Sequence, residues 1–265
     1  MQPKDDMAKA STTDGADAFR IAWPDAPPES LSEVAYRAIL ERIVTLRLPP
    51  AAVIEEQALM RELGVGRTPV REAVNRLSHE GLVMSIPRRG RVVSEINIKD
   101  LSAITEVRVE FEGLAARLSS QRATESDRTM AQQLIAELED LDRSFSMSEY
   151  VVIDQRVHRF VHTCAHNAYL EWTLKHYTYL ALRIWFMHND SIAAFNDVRD
   201  SRPGPGELIV VLAGIIEGDA ARAEVALRGH ILRFQHEFAS LLLGTARSAD
   251  MSIGNRRLAA QALTR

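Results

Sequence analysis

Arginines recur at close spacing in GVGRTPVREAVNRLSHEGLV, residues 64–83: Arg67, Arg71 and Arg76. Val70, Ala73, Val74 and Leu77 fall between them at the spacing of one helix face. The segment therefore reads as a helix with an apolar buried side and a cationic opening turn. Cations are unfavourable at the start of a bare helix, where the backbone N–H groups already carry positive partial charge. Against a polyanion the same arrangement becomes favourable. Arginine can pair with guanine or neutralise a phosphate, threonine can bond a phosphate, and the helix start offers free N–H groups. Arg67, Thr68 and Arg71 are thus candidate nucleic-acid contacts. Arginines on a short helix are usually only a solvated face, so the surroundings matter. A preceding helical pattern, a glycine turn, a proline in the first helical turn and a Pro-Arg-Arg-Gly turn shortly afterwards add weight.

A second constellation suggests metal chemistry. Asp154 and His158 are four residues apart, on one face of a helical pattern, and can share a divalent cation. His230, in the last strongly helical segment, can supply a further ligand. His162 and His166 continue the spacing, but each step of four drifts by about 40° at 3.6 residues per turn. His162 is therefore nearer the site than His166. An isolated Asp-x-x-x-His pair is more often a hydrogen-bonded pair or plain surface.

Two groups of elements must position these residues. Helical periodicity begins at Leu31 and runs through Val34, Ala35, Ala38, Ile39, Ile43 and Leu46, until two prolines stop it. A short helix follows at about 55–63, ended by Gly64, and a third runs from about Thr68 to Glu80. β-formers on both sides of Pro-Arg-Arg-Gly then predict a hairpin. Helix, helix, tight turn, helix and hairpin is the order of a winged helix-turn-helix. From about residue 99 only helical patterns appear, near 100–121, 125–145, 147–166, 168–188, 204–217 and 219–243. They predict an antiparallel six-helix bundle. The expected organisation is a mainly α chain: a flexible leader at 1–30 with little to bury, a winged helix-turn-helix DNA-binding domain at 31–97, an all-helical domain at 100–243, and a tail at 244–265.

The formal charge is −4, which alone argues against nucleic acid, but the distribution is uneven. Residues 31–99 hold 11 Lys/Arg against 8 Asp/Glu, a net +3, leaving −7 for the remainder. A basic segment joined to an acidic remainder suggests a division of labour. The single cysteine, Cys164, allows no internal disulfide and fits a reducing compartment. No apolar run has membrane-spanning length, and the N-terminus lacks the apolar core of a secretory signal. The expectation is a cytoplasmic protein with no membrane partner.

LGVGRTPVREAVNRLSHEGLV followed by IPRRGRVV closely resembles the DNA-binding domain of the GntR family of bacterial transcription regulators. The resemblance implies that Arg67, Thr68 and Arg71 read DNA and that Arg89 and Gly90 form the wing tip over the minor groove. Gly66 stands where the family commonly has serine, with a small expected loss of helix-end rigidity. ITEVRVEFEGLAARLSS, DQRVHRFVHTCAHNAYL and GIIEGDAARAEVALRGHI resemble, more loosely, the FCD ligand-sensing domain of the FadR branch. That implies a helical bundle with a pocket for a small effector, commonly a carboxylate, often beside a metal such as zinc or nickel. Arg108 matches an arginine of the pocket wall, suited to a carboxylate by its planar fork. Arg183, with His176 and Tyr179, is a further effector candidate. The metal set would be Asp154, His158 and His230, with Leu208 where the family places another histidine. Binding is then expected to be weak or absent. The reading is a regulator, not an enzyme, that binds operator DNA as a homodimer. The rivals are an all-helical metalloenzyme using Asp154 and His158, and a helical regulator of another family without a wing.

Overall fold

The structure, a computed structural model, describes residues 21, 28, 30–97, 100–143, 146–187 and 205–236. Helices α1 (Leu31–Val44), α2 (Glu56–Leu63) and α3 (Arg67–His79) precede strands β1 (Val83–Ile86) and β2 (Gly90–Val93). Six helices follow among the described residues: α4 (Asp100–Arg122), α5 (Glu125–Arg143), α6 (Met147–Cys164), α7 (Ala168–Phe186), α8 (Pro205–Glu217) and α9 (220–236). The expected tail, most of the leader and the expected end of the last helix at 237–243 lie outside the described residues.

Local chemistry sets the ends of the first three helices. The Ser30 hydroxyl accepts the Glu33 N–H at 3.1 Å and caps α1. Gly64 ends α2 in the left-handed region, at φ 65°, where a side chain would be strained. Gly66 opens α3 with an extended backbone and no side-chain cap. Val70, Ala73, Val74 and Leu77 bury against Tyr36, Ile39, Leu40 and Ile43 of α1. Leu31, assigned above to that apolar face, is instead 61% exposed at the first residue of the helix.

The two strands pair antiparallel from Val83↔Val93 to Ile86↔Gly90. Arg89 N–H donates to the Ile86 carbonyl at 3.1 Å across a turn in which Pro87 is followed by Arg88 at φ 66°. Proline before a left-handed residue is the pattern of a type II turn. The sequence reading held two strands, but a third edge joins them. Ala51 N–H donates to Val93 O at 2.9 Å, Ile54 N–H donates to Arg91 O at 2.8 Å, and Val53 bridges Val92. Pro50 and Ala51, the latter at φ 63°, form a tight turn closed by the Ala52 N–H to Pro49 O bond at 3.1 Å, and this turn sets down beside β2 an edge that hydrophobic alternation does not announce.

In the bundle, α4 packs against α6, α7 and α8, and α5 packs against α6 and α8. Leu208, Val211, Leu212 and Ile215 bury one face of α8. The α8–α9 crossing is tight: a Cβ on Gly214 would lie 3.0 Å from the backbone nitrogen of Ala223. Helix α1 packs on α7 and so joins the winged unit to the bundle. Among the described residues no helix is long and apolar enough to cross a membrane.

Candidate DNA interface and buried polar centre

The arginines around α3 and the hairpin divide into two sets. Arg67, Thr68 and Arg71 are exposed on the opening turns of α3, and Arg89 and Gly90 are exposed at the hairpin tip. Among the described residues no ion pair or hydrogen bond engages the side chains of Arg67, Arg71 or Arg89. Arg76 and Arg91 are committed internally. Arg76 donates to Glu33 at 2.8 Å and stacks 3.6 Å over the Tyr36 ring, so it fastens α3 to α1. Arg91 donates to Ser78 Oγ at 2.8 Å and also reaches Asn75, so it fastens the hairpin to α3. The uncommitted cations lie on the same two elements that these braces hold.

The second site is a buried polar centre where α4, α6, α8 and α9 meet. It brings together three of the candidates named from sequence. Oxygen or nitrogen atoms of Asp154, His158 and His230 all lie within 4.8 Å of one another. It also contains Arg108, His162, which the helical spacing had placed nearer the site than His166, and two residues that sequence reasoning did not name, Glu112 and Glu207. Glu112, on α4, is fully buried and accepts from Arg108 Nε at 2.7 Å and from His158 Nδ1. His162 Nε2 lies 3.3 Å from the same carboxylate. Glu207, one position before Leu208, reaches His230 Nδ1 at 3.3 Å and pairs with Arg233. Leu208 itself is fully buried and apolar. His166 is turned away at φ 45° and bonds Asp127 at 3.1 Å.

Charge in this centre is mutually compensated. Burial opposes ionisation of Glu112, but the Arg108 charge and His158 hold its carboxyl well below the usual carboxylate range. Asp154 is likewise lowered against its burial, by His158 and His230. The hydrogen bond from His230 holds Glu207 low. Burial also disfavours a charged His230, yet the bonds to Asp154 at 3.1 Å and to Glu207 override it and push the imidazole up to about 9. Both ring nitrogens of His230 therefore face carboxylates, the surroundings of an imidazolium. Burial draws His162 the other way, downward, against the pull of Glu112.

A divalent metal fits this donor set partly. Asp154, His158 and His230 supply three donors, and Glu112 and Glu207 sit on the second nitrogens of the two imidazoles, as outer-shell carboxylates do. Leu208 supplies no fourth donor.

Arg183 does not join this centre by any contact among the described residues. It is 1% exposed, and its guanidinium donates to the Ser94 carbonyl just beyond β2. Among the described residues Nε and Nη1 have no hydrogen-bond partner, and burial pushes the group down to about 10. His176 lies against Gly81, at the other end of the hairpin base.

Comparison with known proteins bears on both sites. A family model described as bacterial regulatory proteins, gntR family, matches residues 31–93, and an FCD domain model matches residues 103–233. A helix-turn-helix regulator from the TAR-I ttuE-ttuC' intergenic region of Agrobacterium vitis is 32% identical over 139 residues, covering 49% of this chain and 78% of that protein. The chain belongs to the GntR family. The helix-turn-helix regulator YdhC of Bacillus subtilis is 28% identical over 142 residues, covering 53% of this chain and 63% of that protein. E. coli McbR/YncC shares the fold, with a TM-score of 0.58 at 20% identity over 82% of this chain and 99% of that one. This GntR member is accordingly a transcription regulator with a ligand-sensing FCD domain, and the metalloenzyme alternative falls. The wingless alternative falls with the hairpin itself.

Proposed function

We propose that this GntR regulator works in the cytoplasm, binds double-stranded operator DNA as a homodimer, and changes its DNA affinity when a small carboxylate effector enters the bundle. Residues 31–97 form the DNA-binding unit in this reading and residues 100–243 the sensing and dimerisation unit. One observation carries it. Arg67, Arg71 and Arg89 stand exposed and unengaged among the described residues, while Arg76 and Arg91 brace the elements that present them. Arg67, Thr68 and Arg71 then meet base edges and phosphates in the major groove, and Arg89 and Gly90 meet the minor groove. Two copies supply the contact area that one short helix lacks. Tyr169 and Trp172, 87% and 73% exposed and three residues apart on α7, are suitable dimer anchors.

Arg108 is the effector's first partner in this reading. It is nearly buried, and its bonds run to one oxygen of Glu112. An incoming carboxylate competes with Glu112 for that fork. Arg183 stands as a second candidate, held back by its contact with the hairpin base. Asp154, His158 and His230 hold a zinc or nickel ion weakly at most, and such an ion would supply positive charge for effector oxygens. The population then shifts between DNA-competent and DNA-incompetent arrangements.

Footprinting on DNA selected by the protein tests the whole reading. Protection of two symmetric half-sites about one helical turn apart is the expected result. Arg89→Ala should lower affinity evenly across sequences and flatten the salt dependence by about one phosphate contact. A defect confined to one base position contradicts the placing of the wing.

A further inference from the structure

A cavity of about 190 Å³ lies where α1 meets α6 and α7, between the winged unit and the bundle. Glu33 and Arg37 of α1 form one wall, and Arg159 and His162 of α6 with Lys175 and Tyr179 of α7 form the others. Leu182 and Ile21 close it with apolar surface. Ile21 is only 4% exposed, although it falls in the stretch read from sequence as a leader with little to bury. The volume is below the roughly 300–1,000 Å³ of sites for drug-sized ligands, so it suits a small metabolite.

Lys175 is the distinctive group. It is half-buried, and among the described residues no hydrogen bond or ion pair reaches its ammonium. Its neighbours are two aromatic rings, Tyr36 at 5.2 Å and Tyr179 at 5.9 Å from ring centroid to Nζ. Burial, with the nearby Arg76 charge, pushes its pKa down, and the more distant carboxylates of Glu80, Glu33 and Glu171, the last also lining the cavity, offset this only in part. Glu33, across the cavity, is already shared: one oxygen accepts from Arg37 at 3.0 Å and the other from Arg76 of α3 at 2.8 Å.

We propose that this cavity, which shares only His162 with the polar centre among the residues named there, is a second small-molecule site, taking a compact carboxylate with an apolar body, and that its occupant acts on DNA binding through Glu33. The carboxylate pairs with Lys175 and draws on Arg37, and the apolar body lies against Tyr179 and Leu182. A negative charge placed there repels Glu33 and competes for Arg37. Glu33 is the carboxylate that ties Arg76 to α1, so the brace between α1 and α3 loosens. The binding half stands on the cavity alone, and the coupling half rests on the DNA reading above.

Calorimetric titration of the full chain with benzoate and with hexanoate tests the site, with benzyl alcohol as the neutral counterpart. The expected result is one saturable site per chain for at least one of the acids and none for the alcohol. Lys175→Met should weaken binding about ten- to hundredfold, the worth of a charged hydrogen bond, while Lys175→Arg retains it. The ligand-free Lys175→Met protein should melt no lower than the parent, since no ion pair is lost, so that a folding failure would be seen directly. No binding by either acid, equal binding by the alcohol, or an unchanged affinity in Lys175→Met overturns the site. For the coupling, saturating acid should change DNA affinity several-fold in the parent and not in Glu33→Gln. If the acid binds, DNA affinity stays constant and Arg71→Ala still impairs DNA binding, the coupling is wrong and the DNA reading stands. If the protein does not bind DNA, the DNA reading fails while the titration still decides the site.

Discussion

The polar centre should make stability depend on pH in a particular window. In metal-free protein the perturbation is the titration of His230. Its folded-state pKa of about 9 lies above the ordinary imidazole value of 6.5. A raised pKa means that the folded state holds the proton more tightly than the unfolded chain. The resulting stability is fully present below about 6.5 and is lost as pH rises through about 9. At 1.36 kcal/mol per unit, the difference is about 3 kcal/mol. The group is almost fully buried, so solvent screening does not reduce this much. Glu112, Asp154 and Glu207 all titrate below their ordinary values and stay ionised throughout this window. His162, lowered, is neutral in it. The slope therefore belongs mainly to His230. Urea unfolding of chelator-treated protein across pH 6 to 10, beside His230→Gln, measures it. A slope in the parent no steeper than in His230→Gln would refute the assignment.

The same proton competes with metal, because coordination needs a neutral imidazole. Zinc affinity of the parent should be low at pH 7, and Leu208→His should raise it at least roughly tenfold, since even outer-shell partners change affinity by 10–100-fold. Elemental analysis of untreated protein and calorimetric titration read both, and a stoichiometric metal in the parent sinks the expectation. In the bundle, Gly214→Ala places a Cβ 3.0 Å from the Ala223 backbone, which cannot rotate aside. It should cost about 1–3 kcal/mol by overpacking, and an unchanged urea midpoint would show that α8 and α9 can separate freely.

The fold was legible where local chemistry and periodicity agreed. Gly64, Gly66 and the Val70–Leu77 stripe define α3 with no help from the rest of the chain, and the observed helix matches to within about one residue. The pairing of Asp154 with His158 was visible because one turn of one helix makes it. What escaped was set by contacts between distant segments. Arg76 was left without a role by its sequence position, and only Glu33 and Tyr36, on another helix, give it one as a brace. Glu112 sits beside Phe111 and Gly113 and was not singled out from the sequence, yet it is fully buried. Its position four residues after Arg108 was the available signal, since a buried arginine calls for a carboxylate partner. Attention to Leu208 as a missing ligand hid Glu207 beside it, whose longer side chain reaches His230 from the neighbouring position. Arg183 looked like an effector residue because its helix is apolar, but helix periodicity does not say which neighbour it faces.

The central claim is that α3 reads DNA through its exposed opening turns, with Arg76 serving as a brace. Gel-shift titration of selected operator DNA with Arg71→Ala, alongside melting of the same protein, tests it most directly. The account predicts a loss of about 1–3 kcal/mol in specific binding, relaxed sequence preference and an unchanged melting temperature. Arg76→Ala, which loses the Glu33 bond and the Tyr36 stack, should instead lower the melting temperature. Operator affinity and base preference identical to the parent in a folded Arg71→Ala protein would contradict the account.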